Sequence, residues 1–247
     1  MHGHILRAEN LLDGHVTNAL VDMFAKCGTS LLACRLFDQI TEKHLISWTV
    51  MIAGYGMHGH GGEAINAFKQ MRGEGIEPDG VSFISILYSC SHSGLADEWR
   101  FFNIMKHECK IEPTLEHYAC MVDLLSRAGL LTKAYKFIMS MPIRPDSTIW
   151  GSLLCDCRIH MDVKLAERVA EHVFKLEPEN TGCYVLLANL YAEVEKCEAV
   201  KMIKEKIGGR GLQKNPGCSW IEIKGRVHVF FCWQQITPSV RKDRSIS

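Results

Sequence analysis

Four glycines constrain what this chain can fold into. Gly28, Gly59, Gly94 and Gly129 are 31, 35 and 35 residues apart, and the residues around each one recur. Seven positions before each glycine stands an aliphatic side chain: Val21, Ile52, Leu87 and Val122. Three before it stands a small residue: Ala25, Gly56, Ser91 and Ser126. Five after it comes alanine in three copies, Ala33, Ala64 and Ala134, and Trp99 in the other. Agreement at a period of about 20–50 residues means an array of stacked units. Such arrays offer long surfaces for binding.

Each unit reads as two helices. Apolar residues recur three and four apart, as in Leu20, Met23 and Phe24, then Leu32, Leu36 and Phe37. The predicted pairs are 18–27 with 30–40, 48–58 with 62–71, 83–93 with 96–107, and 118–128 with 131–139. Gly28 ends the first helix, where a left-handed residue is needed. The small residues before each glycine, with the alanines after it, are expected to let the paired helices approach closely. Pro78-Asp79, Pro113 and Pro145-Asp146 stop the second helices. Two weaker pairs follow, 148–160 with 163–176 and 184–194 with 198–207. The period then changes. Ser219–Ile223 and Arg226–Phe231 alternate around Lys224-Gly225, a β-hairpin pattern. The polar end of the chain is expected to be disordered.

Composition limits the function classes. Hydrophobic residues make up 47% and charged residues 23%, which suits a folded chain. Lysine plus arginine equals aspartate plus glutamate, 28 against 28, so electrostatics alone do not point to nucleic acid. RNA binding would have to rest on local charge or on base contacts. No apolar run reaches the length of a membrane span. The eleven scattered cysteines read as buried thiols in a reducing compartment. The opening MHGHILRAENLLDGH has the character of neither a signal peptide nor a transit peptide.

The stretches NALVDMFAKCG (18–28), SWTVMIAGYGMHGHG (47–61), HYACMVDLLSRAG (117–129) and MPIRPDSTIWGSLLCDCRIH (141–160) resemble the pentatricopeptide repeat family of plants. So do LEPENTGCYVLLANLYA (176–192) and NPGCSWIEI (215–223). Units of alternating length look like the subclass that mixes short and long repeats and ends in extension (E) motifs. The resemblance implies an all-α, right-handed α-solenoid of helix-turn-helix repeats with a short C-terminal β-hairpin. Repeats fall at 14–44, 45–79, 80–114 and 115–146, after a remnant of a preceding repeat at 1–13. Two helical extension motifs span 147–214, a hairpin 215–231 and a tail 232–247. The chain is expected to be truncated at its N-terminus.

By the same resemblance, the protein binds single-stranded RNA in a mitochondrion or a chloroplast, the mitochondrion placed first. It would direct conversion of cytidine to uridine by a deaminase supplied in trans and docked on the extension motifs. Bases would be read by the fifth residue of a unit's first helix and the unit's last residue. These pairs are Asn18 with His44, Thr49 with Asp79, Ile84 with Thr114, and Ala119 with Asp146. Thr49 with Asp79 is the guanine-type pair, because a carboxylate accepts from guanine's N–H donors. Asn18 favours a pyrimidine, Ile84 cannot hydrogen-bond, and Ala119 leaves Asp146 to read alone. Ile46 and Val81 would pack on bases, whereas His15 and Glu116 suit that role poorly. The alternative for Thr49 and Asp79 is helix capping and solvation.

An enzyme has no residue constellation behind it. The deaminase pattern of His-x-Glu with Pro-Cys-x-x-Cys is missing: His107-Glu108 are adjacent, and Pro216-Gly217-Cys218 lacks the second cysteine. Cys155 and Cys157 are two apart and so leave a helix on opposite sides, which disfavours a shared metal with His160. His58 and His60 read as solvated turn residues. No cofactor, membrane or small-molecule substrate is expected. A helical protein-interaction scaffold and a non-functional truncated product stand as the alternatives. The third unit departs from the pattern, its second helix one residue short, with Trp99 either splaying the pair or pointing outward. Gly208-Gly209 fall where helix is expected.

Overall fold

The computed structural model describes residues 14–28, 30–94, 98–209, 217–223 and 226–232. The expected repeat remnant at 1–13, the hairpin's Lys224-Gly225 and the tail past Cys232 lie outside the described residues.

Helices come in antiparallel pairs. They are α1 (Gly14–Lys26) with α2 (Ser30–Gln39), and α3 (Leu45–Met57) with α4 (Gly61–Gly73). Next come α5 (Gly80–Ser93) with α6 (Glu98–Asn103), and α7 (Leu115–Arg127) with α8 (Leu131–Met139). Then follow α9 (Ser147–Ile159) with α10 (Val163–Leu176), and α11 (Thr181–Glu193) with α12 (Cys197–Gly209). The hairpin pairs β1 (Gly217–Ile223) with β2 (Arg226–Cys232), antiparallel, Ile223 opposite Arg226. The architecture is an all-α solenoid with a small terminal sheet. The chain divides into two compact units, 1–178 and 179–247.

First helices start up to four residues before the apolar periodicity predicts. Their first turns mix polar, exposed and half-buried residues and carry no periodic signal. What starts them is an extended residue just before, His44, Asp79, Thr114 or Asp146, with ψ of 172°, −177°, 174° and 179°. All four marker glycines are left-handed, with φ of 77°, 72°, 63° and 74°. The same turn recurs at Met161 and Glu195, both at φ 58°. The array therefore continues past Gly129 after its glycine marker is gone.

The core runs along the first helices. Val21, Ile52, Leu87 and Val122 are fully buried, beside Trp48, Phe83, Met121, Leu153 and Leu154. Ala33, Ala64 and Ala134 are buried where the second helices meet them. The small residues before the glycines seat the next unit's first helix. A Cβ on Gly56 would lie 2.2 Å from Ser89 Oγ and 2.8 Å from Ser89 Cα. Ser91 Oγ donates to Asp123 and Ser126 Oγ to Asp156, both at 2.5 Å. Burial pushes the Asp156 carboxyl above its ordinary pKa.

In the third unit, α6 widens into a π-helical turn over Ile104–Glu108, closed by Cys109 N–H to Ile104 O at 2.9 Å. The irregularity within the described part of this helix is a wide turn. Trp99 is half-exposed, and its ring meets the Phe137 ring edge-on at 5.4 Å. Gly208 and Gly209 are the last two residues of α12, where the helical cost of glycine is small.

Candidate nucleic-acid interface

Each unit's last residue is also the N-cap position of the next unit's first helix. In unit 1–178 the first helices α1, α3, α5, α7 and α9 pack side by side in order. A cap at the start of one helix therefore lies beside the first turns of the helix before it. That is how residues about thirty positions apart in sequence come together.

Thr49, on the second turn of α3, and Asp79, capping α5, are the best-connected pair. Asp79 Oδ1 accepts from Ser82 N–H and from Ser82 Oγ, both at 2.8 Å. Ser82 Oγ also lies 2.8 Å from Thr49 Oγ1. Thr49 and Asp79 are both half-buried, and Ser82 is fully buried. The cap and the paired arrangement are therefore not alternatives: one oxygen of Asp79 caps α5, and the Ser82 hydroxyl ties that oxygen to Thr49.

Ser82 was not singled out by sequence reasoning, which compared the second, fifth and last residues of each unit. Its signal was present. Asp79-x-x-Ser82 has capping-box spacing, which puts the third helical residue's side chain back against the cap.

The other pairs differ at the same relay position. In the first, Asn18 is half-buried on α1, and exposed His44 makes no side-chain cap bond to α3. Ser47 takes the relay place there. Asn18 Oδ1 and Ser47 Oγ are both buried without a hydrogen-bond partner among the described residues. In the third, His117 replaces the serine. Its Nε2 lies 2.9 Å from Gly80 O, and its Nδ1 accepts from Thr114 N–H at 3.1 Å and lies 2.8 Å from Thr114 Oγ1. Burial holds the His117 pKa below its ordinary value. In the fourth, Asp146 Oδ1 accepts from Ile149 N–H at 2.9 Å, and Ile149 has no hydroxyl to extend the chain toward half-buried Ala119.

Ile46 and Val81, the second residues of α3 and α5, are 56% and 58% exposed, although both are large and apolar. They stand on the same end of two adjacent helices as the Thr49–Asp79 pair. Glu116 holds that place on α7 and is exposed. The side chain of His15 lies outside the described residues. Cys155 is exposed and Cys157 buried, on opposite sides of α9.

Three matches to known families cover most of this architecture. The "PPR repeat family" model matches residues 43–92, the "PPR repeat" model 116–144 and the "E motif" model 160–222. The chain belongs to the pentatricopeptide repeat family. It is 68% identical over 96% of its length to the pentatricopeptide repeat-containing protein DOT4, chloroplastic, of Arabidopsis thaliana, covering 27% of that protein. It is 44% identical over 98% of its length to the Arabidopsis thaliana protein At3g26782, mitochondrial, covering 37% of it. The chain thus spans about a quarter to two fifths of these relatives. Its fold matches the crystal structure of the pentatricopeptide repeat protein PPR10 from maize with a TM-score of 0.70 at 22% identity, over 83% of this chain and 30% of that one. PPR10 in complex with an 18-nt psaJ RNA element matches with a TM-score of 0.56 at 20% identity, over 83% and 29%.

Proposed function

We propose that this chain is a sequence-selective binder of single-stranded RNA and that its second repeat reads guanine. The observation that carries this is the Thr49–Ser82–Asp79 connection. It fixes two polar side chains on adjacent helices, beside the exposed apolar Ile46 and Val81. Two aliphatic faces with hydrogen-bonding groups next to them suit a splayed, single-stranded base, which is how RNA sequence is commonly read. The other pairs contribute less: Ile84 and Ala119 offer no hydrogen bond, and His44 is not joined to Asn18. One strong position and two partial ones give modest selectivity.

The wider reading is an organellar editing factor whose E motif docks a deaminase acting in trans. The E-motif match and the exposed Trp220, Val227 and Phe230 of the hairpin support a protein-binding role for that end. The 68%-identical relative is named chloroplastic, which moves our reading from the mitochondrion to the chloroplast.

The test is binding of short RNAs that vary only opposite the second repeat, compared between the wild-type chain and Asp79→Asn. Asparagine caps a helix as well as aspartate does, so the fold is kept. Its amide N–H groups oppose guanine's donors. The guanine-over-adenine preference is expected to fall about tenfold, within the range of about 1–3 kcal/mol for a good side-chain–base pair. Absence of RNA binding at low salt would overturn the reading. Retention of protein partners after nuclease treatment, with no RNA crosslinks, would favour a scaffold instead.

A further inference from the structure

We infer that Ser82 is a specificity-determining positioning residue: it fixes which way the Thr49 hydroxyl hydrogen points and so makes the second repeat an acceptor-only site. This rests on the guanine reading above and deepens it.

The argument is an inventory of protons. The Asp79 carboxylate has no hydrogen to give, so the 2.8 Å contact between Ser82 Oγ and Asp79 Oδ1 uses the one hydroxyl hydrogen of Ser82. The 2.8 Å contact between Ser82 Oγ and Thr49 Oγ1 must then be donated by Thr49, whose single hydrogen is spent there. The direction is Thr49 to Ser82 to Asp79. What remains for a ligand is a lone pair on Thr49 Oγ1 and the second oxygen of Asp79, which takes no hydrogen bond among the described residues.

Two acceptors side by side demand two donors. Guanine's pairing edge has them, in its ring N–H and exocyclic amine. Adenine and cytosine each pair one donor with a ring acceptor, and uracil sets one ring N–H between two carbonyls. Each of these places a lone pair against a lone pair. A buried residue that never touches the base thereby sets the polarity of the one that does.

The neighbouring repeats lack this relay. Ser47 and Asn18 do not bond each other, His117 is bonded to Gly80 O and Thr114 while Ile84 has no hydroxyl to join it, and Ile149 has no hydroxyl. Ser82→Ala keeps the backbone N–H that Asp79 caps, so α5 stays anchored.

The experiment measures binding of the full 247-residue chain to four RNAs differing only in the base opposite the second repeat. Ser82→Ala frees the Thr49 hydrogen to donate. Guanine-over-adenine preference is expected to fall roughly fivefold, about the effect of one redirected hydrogen bond. Adenine binding should stay level or rise. In a Thr49→Val background, Ser82→Ala should change the preference less than about twofold, because no hydroxyl remains to redirect. Equal weakening of all four RNAs would overturn the inference and leave Ser82 a merely structural residue. So would an undiminished effect in the Thr49→Val background. A wild-type chain without guanine preference at this position would remove the guanine reading itself, and this inference with it.

Discussion

His117 is 1% exposed, and burial favours its neutral form. Nδ1 accepts from Thr114 N–H, which leaves Nε2 to donate to Gly80 O. Adding a proton would break the first bond and charge a buried ring, which is why burial lowers its pKa. The unfolded chain takes up that proton near the ordinary histidine value of about 6.5, and the folded chain resists it to a lower pH. Between those values the unfolded state binds more protons, so stability falls as pH falls. Urea unfolding at several pH values should show this loss beginning below about pH 6.5. His117→Gln should flatten that limb. Cys120 and Cys157 sit in the same protected setting, with burial pushing both thiols up to about 12.

At the scale of the element, the turn after each first helix shows how far the sequence could be read. Gly28, Gly59, Gly94 and Gly129 announced their turns, because a left-handed residue without a Cβ costs nothing in strain. Met161 and Glu195 adopt the same φ and gave no such notice. An L-residue there costs roughly 1–2 kcal/mol, and glycine gives part of that back in chain entropy. Met161→Gly is expected to stabilise the chain by about 1 kcal/mol, measured as a higher urea midpoint at an unchanged slope. The helices themselves were legible from apolar spacing, since that spacing is what buries Trp48, Met51 and Ile52 together. Their first turns were not, because caps act through backbone geometry at one residue rather than through a period. Gly54 escaped notice for a related reason. A Cβ there would lie 2.8 Å from Ala25 Cβ, a contact between helices that no local pattern records.

At the scale of the molecule, the two compact units separate the proposed functions. All of Asn18, Thr49, Ser82, Asp79, Ala119 and Asp146 belong to 1–178, and the hairpin belongs to 179–247. Removing 179–247 is expected to leave the guanine preference within about twofold of the whole chain, by the near-additivity of distant sites. RNA binding by the fragment checks this, and a collapsed preference would join the two units in one function. The balanced charge of the chain, 28 against 28, predicts that salt weakens binding less steeply than for a basic RNA binder. The site was only half legible: Thr49 and Asp79 could be named from position and Ser82 had the spacing of a capping residue, but its bond to Thr49 crosses from the following repeat and became visible only when α3 and α5 were set side by side. This bears on how such arrays can be recombined. A graft cut at the helix boundary, 45–79, would carry the two outward-facing groups and leave behind the hydroxyl that orients them. The transferable cassette runs to residue 82, and its borders overlap those of its neighbour.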